Sequence, residues 1–186
     1  MDVNARILWR QKAESIDLAL CRIIYRCGYR PLGIWSFRLI SRLGDGLLWY
    51  LVMIALPLAY GQKGFVAGLH MVLTGAICTL IYKSLKHRTL RGRPFTRHSD
   101  IQCRMPPLDY FSFPSGHTLH ACAFTVLLFE WAPLWGWAIL PFTVLVALSR
   151  MILGLHYPSD VIAGAAIGVG LGSASLWLFI ALPVFK

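Results

Sequence analysis

The sequence predicts an all-α polytopic membrane protein: a bundle of about five transmembrane helices preceded by an interfacial amphipathic helical segment. Three observations carry this. The chain is 57% hydrophobic and only 14% charged, against roughly 25% charged in an ordinary soluble domain. Several apolar stretches approach the length of about 20 residues that a helix needs to cross a bilayer. The net charge is +10, and the basic residues flank those stretches, as they do beside anionic headgroups. A basic face on a soluble module would suggest nucleic acid. With a mean hydropathy of +0.61, the membrane is the expected partner instead, and no nucleic acid is implied. A length of 186 residues suits one domain.

Residues 1–43 hold eight Lys or Arg and three acids. Ile16, Leu20 and Ile23 recur at helical spacing, with Arg22, Arg26 and Arg30 on another face. Pro31 breaks this run, and a second short amphipathic stretch covers about Ile34 to Leu43. Such basic amphipathic helices lie flat in the membrane interface; the competing expectation is a surface helix packed on a partner. Mixed charge and the lack of an apolar core argue against a cleavable signal here. Residues 44–186 then form the membrane domain.

Five apolar segments follow: Leu47–Tyr60, Phe65–Lys83, Thr118–Ala132, Trp137–Leu155 and Val161–Phe185. Pro57 can bend the first. Gly61-Gln62-Lys63-Gly64 turns the chain into the second. Pro133-Leu134-Trp135-Gly136 turns it between the third and fourth. The fifth is rich in Gly and Ala, and small residues at helical spacing let helices approach closely in lipid. Five cysteines, at 21, 27, 78, 103 and 122, are odd in number and lack metal-ligand spacing, so neither a disulfide framework nor a metal site is expected.

Three stretches break the apolar pattern. The loop 84–113 is long, carries six Lys or Arg, and opens with Lys86-His87-Arg88-Thr89-Leu90-Arg91-Gly92-Arg93-Pro94. Clustered cations suit an anionic group: arginine offers a planar fork and lysine a point charge. A plain positive-inside loop would look similar. Pro114-Ser115-Gly116-His117 opens the third segment. A helix N-terminus is an anion site, Ser115 can donate its hydroxyl, Gly116 lets an oxyanion reach the backbone, and His117 can move a proton near neutral pH. A simple Ser cap would also fit. Ser149-Arg150 ends the fourth segment, and His156-Tyr157-Pro158-Ser159-Asp160 leads from it into the fifth. A carboxylate near a histidine fixes its tautomer and stabilises the charged ring, and Arg150 can hold the anion that the histidine attacks. An arginine at the bilayer edge favours chemistry over a structural His–Asp pair.

Taken together, Lys86, six residues, Arg93-Pro94, then Pro114-Ser115-Gly116-His117, then Ser149-Arg150, five residues, His156, three residues, Asp160, resemble the signature of the type-2 phosphatidic acid phosphatase superfamily. These are membrane lipid phosphatases related to vanadate haloperoxidases and glucose-6-phosphatase. The resemblance covers roughly residues 45–182. It implies a phosphatase without metal or other cofactor, acting on a membrane lipid phosphate such as phosphatidic acid, phosphatidylglycerol phosphate or a polyprenyl (di)phosphate. His156 would be the nucleophile, forming a phosphohistidine, and Asp160 would orient it. His117 would protonate the leaving oxygen and then activate water. Lys86, Arg93, Arg150, Ser115 and the Gly116 amide would hold the phosphoryl oxygens. Members often have six spans; here residues 1–43 stand in place of the first.

Two other functions compete. A haloperoxidase-like enzyme using vanadate conflicts with the hydropathy, since those relatives are soluble. A non-enzymatic membrane binder of anions or lipids has no use for a proton donor beside a His–Asp pair. With a cytoplasmic basic N-terminus, five spans put all three motifs on the cytoplasmic side of the inner membrane. Oligomeric state leaves no mark in the sequence.

Overall fold

The structure is a computed structural model that describes residues 3–28 and 31–181, and its regular elements are all helical, with no strand among the described residues. The helices are α1 (Val3–Cys27), α2 (Pro31–Arg42), α3 (Leu48–Thr89), a short α4 (Pro94–Arg97), α5 (Gly116–Trp131), α6 (Pro133–Ile152) and α7 (Pro158–Ala181). A π-helical turn, Leu43–Leu47, joins α2 to α3. Arg30, and the end of the fifth expected segment at 182–185, lie outside the described residues.

Three helical stretches are long and apolar enough to cross a membrane: Pro31–Arg97, Pro133–Ile152 and Pro158–Ala181. The first is not one rod. At Gly61 the backbone adopts φ 56°, ψ −132°, a conformation that suits a residue without Cβ. Beyond it the chain runs back along itself, with Gly64 against Leu56 and Gly68 against Met53. The expected turn at 61–64 is therefore the tip of a helical hairpin with arms 48–60 and 62–89. The second arm continues further than the apolar pattern indicated. It ends only at Thr89, where Leu90 takes the left-handed cap conformation. Lys86 consequently sits on a helix, not in a loop. Nothing between 83 and 89 breaks a helix, and polarity alone does not end one.

The hairpin packs on α5, which also contacts α6 and α7. Their common core holds Trp49, Leu56, Met71, Phe124, Leu127, Leu128 and Val146. Gly164, Gly168 and Gly172 of α7 face the carbonyls of Ser115, Leu119 and Ala123 of α5 in the same order. The two helices are thus parallel and in close contact through a stripe of small residues, the geometry that dispersion favours between helices in lipid. Antiparallel α6 joins them. Both α5 and α7 start at the same end of the bundle, where the three unusual stretches meet. Large apolar side chains such as Leu58, Leu80, Ile162 and Trp177 point outward with no protein partner to bury them, as helices solvated by lipid require.

The N-terminal helix has two faces. Leu8, Trp9, Ile16, Leu20 and Ile23 are exposed, while Asp17, Cys21 and Tyr25 are buried. The buried face lies on α6 and α7 and on the segment after α4. There Arg22 pairs with Asp100 (2.8 Å), and the Tyr25 hydroxyl accepts from Gln102 N–H (3.1 Å). Helix α2 packs on α6.

Candidate active site

Lys86, Arg93, Gly116, His117, Arg150 and His156 line one cavity of about 380 Å³. Residues spread over 70 positions meet because four local structures end at the same place: the last turn of α3, the N-cap of α4, the N-terminus of α5 and the turn from α6 to α7. Asp45 and Asp109 complete the polar end. The remaining wall includes Tyr50, Met53, Val72, Ala76, Tyr82 and Leu108, with Thr79 and His120 among them, so one side of this cation-lined chamber is largely apolar.

His156 occupies the turn Leu153–Tyr157 and is almost fully buried. Arg93 Nη1 lies 3.2 Å from its Nε2. Guanidinium nitrogens only donate, so Nε2 carries the lone pair and Nδ1 the proton. That proton faces Asp160 Oδ2, 3.6 Å from Nδ1, longer than a formed hydrogen bond. Catalytic contacts commonly tighten only when substrate arrives. Burial first, then the charges of Arg93, Arg150 and Lys86, hold the imidazole well below its usual range, so it is neutral at physiological pH. A neutral imidazole with its Nε2 lone pair toward a cationic chamber is a nucleophile in its reactive form.

Asp160 lies in the first turn of α7, fully buried. Its Oδ2 accepts from Tyr157 N–H (2.9 Å) and its Oδ1 from Arg91 Nη1 (2.7 Å). It stands behind His156, outside the cavity lining. The cations have partners of their own. Lys86 Nζ donates to Asp109 Oδ1 (2.9 Å) and to the Phe111 carbonyl (2.6 Å). Arg93 donates to Asp109 Oδ1 (2.7 Å) and to the Leu155 carbonyl (2.8 Å). Arg150 donates to Ser41. Its Nε, buried, has no hydrogen-bond partner among the described residues, and a buried cationic donor left so calls for an anion. Asp109 is pushed up by burial, but Lys86 and Arg93 outweigh this and hold its carboxyl below the usual range.

His117, in the first turn of α5, donates from Nε2 to Asp45. Asp45 sits on the π-helical turn between Gly44 and Gly46, and Gly46 has φ 143°; such turns often mark functional positions. Ser115 caps α5, but its hydroxyl pairs with Thr118 (2.9 Å) and its N–H with the Asp160 carbonyl (3.0 Å). It ties α5 to α7 and does not line the cavity. The Gly116 backbone does.

Asp17, Ser41, Asp45 and Asp109 were not singled out by sequence reasoning, and Arg91 only as one cation of the run 86–94. A usable signal was present: the chain has only eight acids against 18 Lys and Arg, so each acid near a membrane edge needs a specific partner.

Residues 64–182 match the model of the PAP2 superfamily. An undecaprenyl-diphosphatase of Sulfolobus acidocaldarius is 32% identical over 121 residues, which are 64% of this chain and 58% of that protein. A decaprenylphosphoryl-5-phosphoribose phosphatase of Mycobacterium tuberculosis is 32% identical over 154 residues, 77% of this chain and 79% of that protein. Among solved structures, a transmembrane PAP2 type phosphatidylglycerolphosphate phosphatase from Bacillus subtilis superposes with a TM-score of 0.73 at 25% identity, covering 94% of this chain and 90% of that one. With close to two thirds of its length matched by the family model and the motif residues gathered at one cavity, the chain belongs to the PAP2 superfamily.

Proposed function

We propose that this chain is an integral membrane phosphatase that removes a phosphoryl group from a lipid phosphate through a phosphohistidine. One observation supports this above the others. His156 Nε2, three buried cations and His117 converge on a single chamber, one side of which is largely apolar. The relatives named above act on phosphorylated polyprenyl carriers and a glycerophospholipid, which supports a phosphate on a membrane-anchored carrier as the substrate.

Lys86, Arg93 and Arg150 bind the phosphoryl oxygens, with the Gly116 amide at the N-terminus of α5 assisting and Ser115 holding that terminus in place. His156 Nε2 attacks phosphorus as the P–O bond to the lipid breaks, and His117 gives its proton to the leaving oxygen. Asp160 stabilises the positive ring. His117 then takes a proton from water, the hydroxide attacks the phosphohistidine, and phosphate leaves with His156 neutral again. Phosphoryl transfer needs positioning and charge stabilisation above all, and fixed cations supply both, so no metal enters the mechanism. The lipid headgroup reaches the chamber sideways from the bilayer, past the exposed rim residues Tyr50, Val72 and Leu108.

The chain crosses the membrane five times, through both arms of α3, then α5, α6 and α7. The segment 1–43 rests at the interface, and the domain 44–186 carries the site on the cytoplasmic face of the inner membrane. In intact cells Cys103, exposed on the loop beside the site, is then shielded from a membrane-impermeant thiol reagent, while a cysteine placed near Lys63 reacts. The reverse pattern overturns the orientation.

Purified protein in detergent releases phosphate from a short-chain phosphatidic acid or polyprenyl diphosphate in the presence of EDTA, and His156→Ala abolishes turnover. Loss of activity on chelation, with recovery on adding Mg²⁺, overturns the metal-free mechanism. Near-normal turnover by His156→Ala overturns the nucleophile assignment.

A further inference from the structure

The catalytic pair His156–Asp160 is backed by a chain of charges that reaches a helix outside the family match. Asp160 Oδ1 accepts from Arg91 Nη1 at 2.7 Å, and the same nitrogen donates to Ser159 Oγ at 2.7 Å. The other arm of the guanidinium, Nη2, donates to Asp17 Oδ2 of α1 at 2.7 Å. Asp17 Oδ1 accepts from Ser159 N–H at 2.9 Å, and the Ser159 hydroxyl donates to Asp17 Oδ2. The guanidinium lies over the Tyr157 ring, 4.3 Å from its centroid. Residues 157, 159 and 160, which follow the nucleophile, are thus gripped by one arginine and one distant carboxylate.

We infer that Asp17 is a positioning residue for the reaction, acting through Arg91 on the carboxylate of Asp160; the inference rests on the phosphatase reading above. Two physical effects carry it. The first is geometric. A guanidinium is a rigid planar fork, and anchoring one arm on Asp17 and one face on Tyr157 fixes where the other arm holds Asp160 Oδ1. This leaves Oδ2 toward His156. The second is electrostatic. Asp160 must stabilise the charge that grows on His156 as Nε2 attacks. An arginine paired with Asp160 alone would neutralise the carboxylate that has to do this. Asp17 shares the arginine, so Asp160 keeps more of its negative charge for the imidazole. Hydrogen-bonded charge networks of this kind act as a unit in a low-dielectric site.

The docking of α1 does not rest on Asp17 alone. Arg22 pairs with Asp100, Tyr25 accepts from Gln102 N–H, and Arg104 donates to the Tyr25 carbonyl at 3.0 Å. None of these contacts includes Asp160. Removing Asp17 therefore alters the grip on the catalytic carboxylate while the helix stays in place.

The test measures kcat and KM for phosphate release from dioctanoyl phosphatidic acid by the full chain in detergent. Asp17→Ala lowers kcat about tenfold or more, the loss of one charge-assisted contact. KM stays within about threefold, because the phosphate-binding cations are untouched. Asp17→Asn, which keeps the shape and the Ser159 contact, also loses kcat, and Asp17→Glu recovers part of it. Adding Asp17→Ala to Arg91→Lys costs little beyond Arg91→Lys alone, as residues on one path are not additive. Arg22→Ala, which removes a separate tie of α1, leaves kcat unchanged. Wild-type kcat in Asp17→Asn overturns the inference, as does an equal loss in Arg22→Ala. If Asp17→Ala does not fold, the Asn and Glu variants decide. An inactive His156→Ala beside a fully active Asp17→Asn removes this inference alone, whereas an active His156→Ala removes the phosphatase mechanism beneath it.

Discussion

Gly164→Ala tests how closely α5 and α7 must approach for the site to exist. A Cβ at position 164 would lie 2.6 Å from the Ser115 carbonyl oxygen. Ordinary contact begins at 3.4 Å, so the helices must separate by about 0.8 Å, and contacts fall off steeply over such a gap. The oxygen cannot yield, because it caps α5 by accepting from Leu119 N–H (3.0 Å). Overpacking of this kind costs about 1–3 kcal/mol. The functional cost is larger in proportion. Ser115 precedes Gly116 and His117, and Gly164 lies one turn after Asp160, so the shift opens the site itself. A displacement near 1 Å can cost about 100-fold in rate. Gly168→Ala is the comparison: its Cβ would meet the Leu119 carbonyl oxygen at 2.2 Å, a worse clash one turn further from the chemistry. Gly170→Ala is the control, with nothing within 4 Å. Thermal unfolding in detergent, followed by tryptophan fluorescence, and kcat for phosphate release are measured on all three. The expected order of stability loss is 168, 164, 170, and of kcat loss relative to stability 164, 168, 170. A Gly164→Ala protein that melts and turns over like Gly170→Ala would refute the close-approach argument.

Asp109 shares one carboxylate oxygen between Lys86 and Arg93, at 2.9 and 2.7 Å, where the proposed mechanism places the phosphoryl group. Asp109→Asn removes that competing charge, so inhibition by inorganic phosphate tightens by about tenfold, in line with one charge interaction at partial screening; unchanged or weaker inhibition refutes the competition. For pH, His156 is held well below its usual range by burial, then Arg93, Arg150 and Lys86. The unfolded chain takes up a proton at His156 near pH 6.5, and the folded chain does not. Unfolding therefore binds a proton, and stability rises with pH up to about 6.5 and is lost below it. The melting temperature of wild type falls more steeply below pH 6.5 than that of His156→Gln; parallel curves refute the buried neutral state.

The class of the protein and most of the site were legible because both rest on local pattern. Apolar run length identifies membrane helices, and the spacing of Lys86, Arg93, His117, Arg150, His156 and Asp160 is read along the chain. The second layer was not legible, because it consists of pairs remote in sequence. Asp17 meets Arg91 across 74 residues, and Asp45 meets His117 across 72. Periodicity shows which face of α1 is apolar, but not that Asp17 on its other face lands behind the nucleophile. Lys86 was read as a loop residue because polarity rises after Lys83, yet the helix continues on backbone propensity until Leu90. The sequence offers the Ser115 hydroxyl as a donor to the anion; the structure pairs it with the Thr118 hydroxyl, three residues on, outside the cavity lining.

The parallel course of α5 and α7 explains why the motifs meet at all. Each helix starts at the site, so two positive dipole ends and their free N–H groups face the same region. Asp160 in the first turn of α7 and Gly116 in the first turn of α5 both lie in that field. Parallel neighbours require an intervening return, and α6 supplies it, so the PSGH and His–Asp motifs share a side whichever way the bundle is inserted. The hairpin at Gly61 does the same for α3, returning Lys86 to the end where Asp45 began.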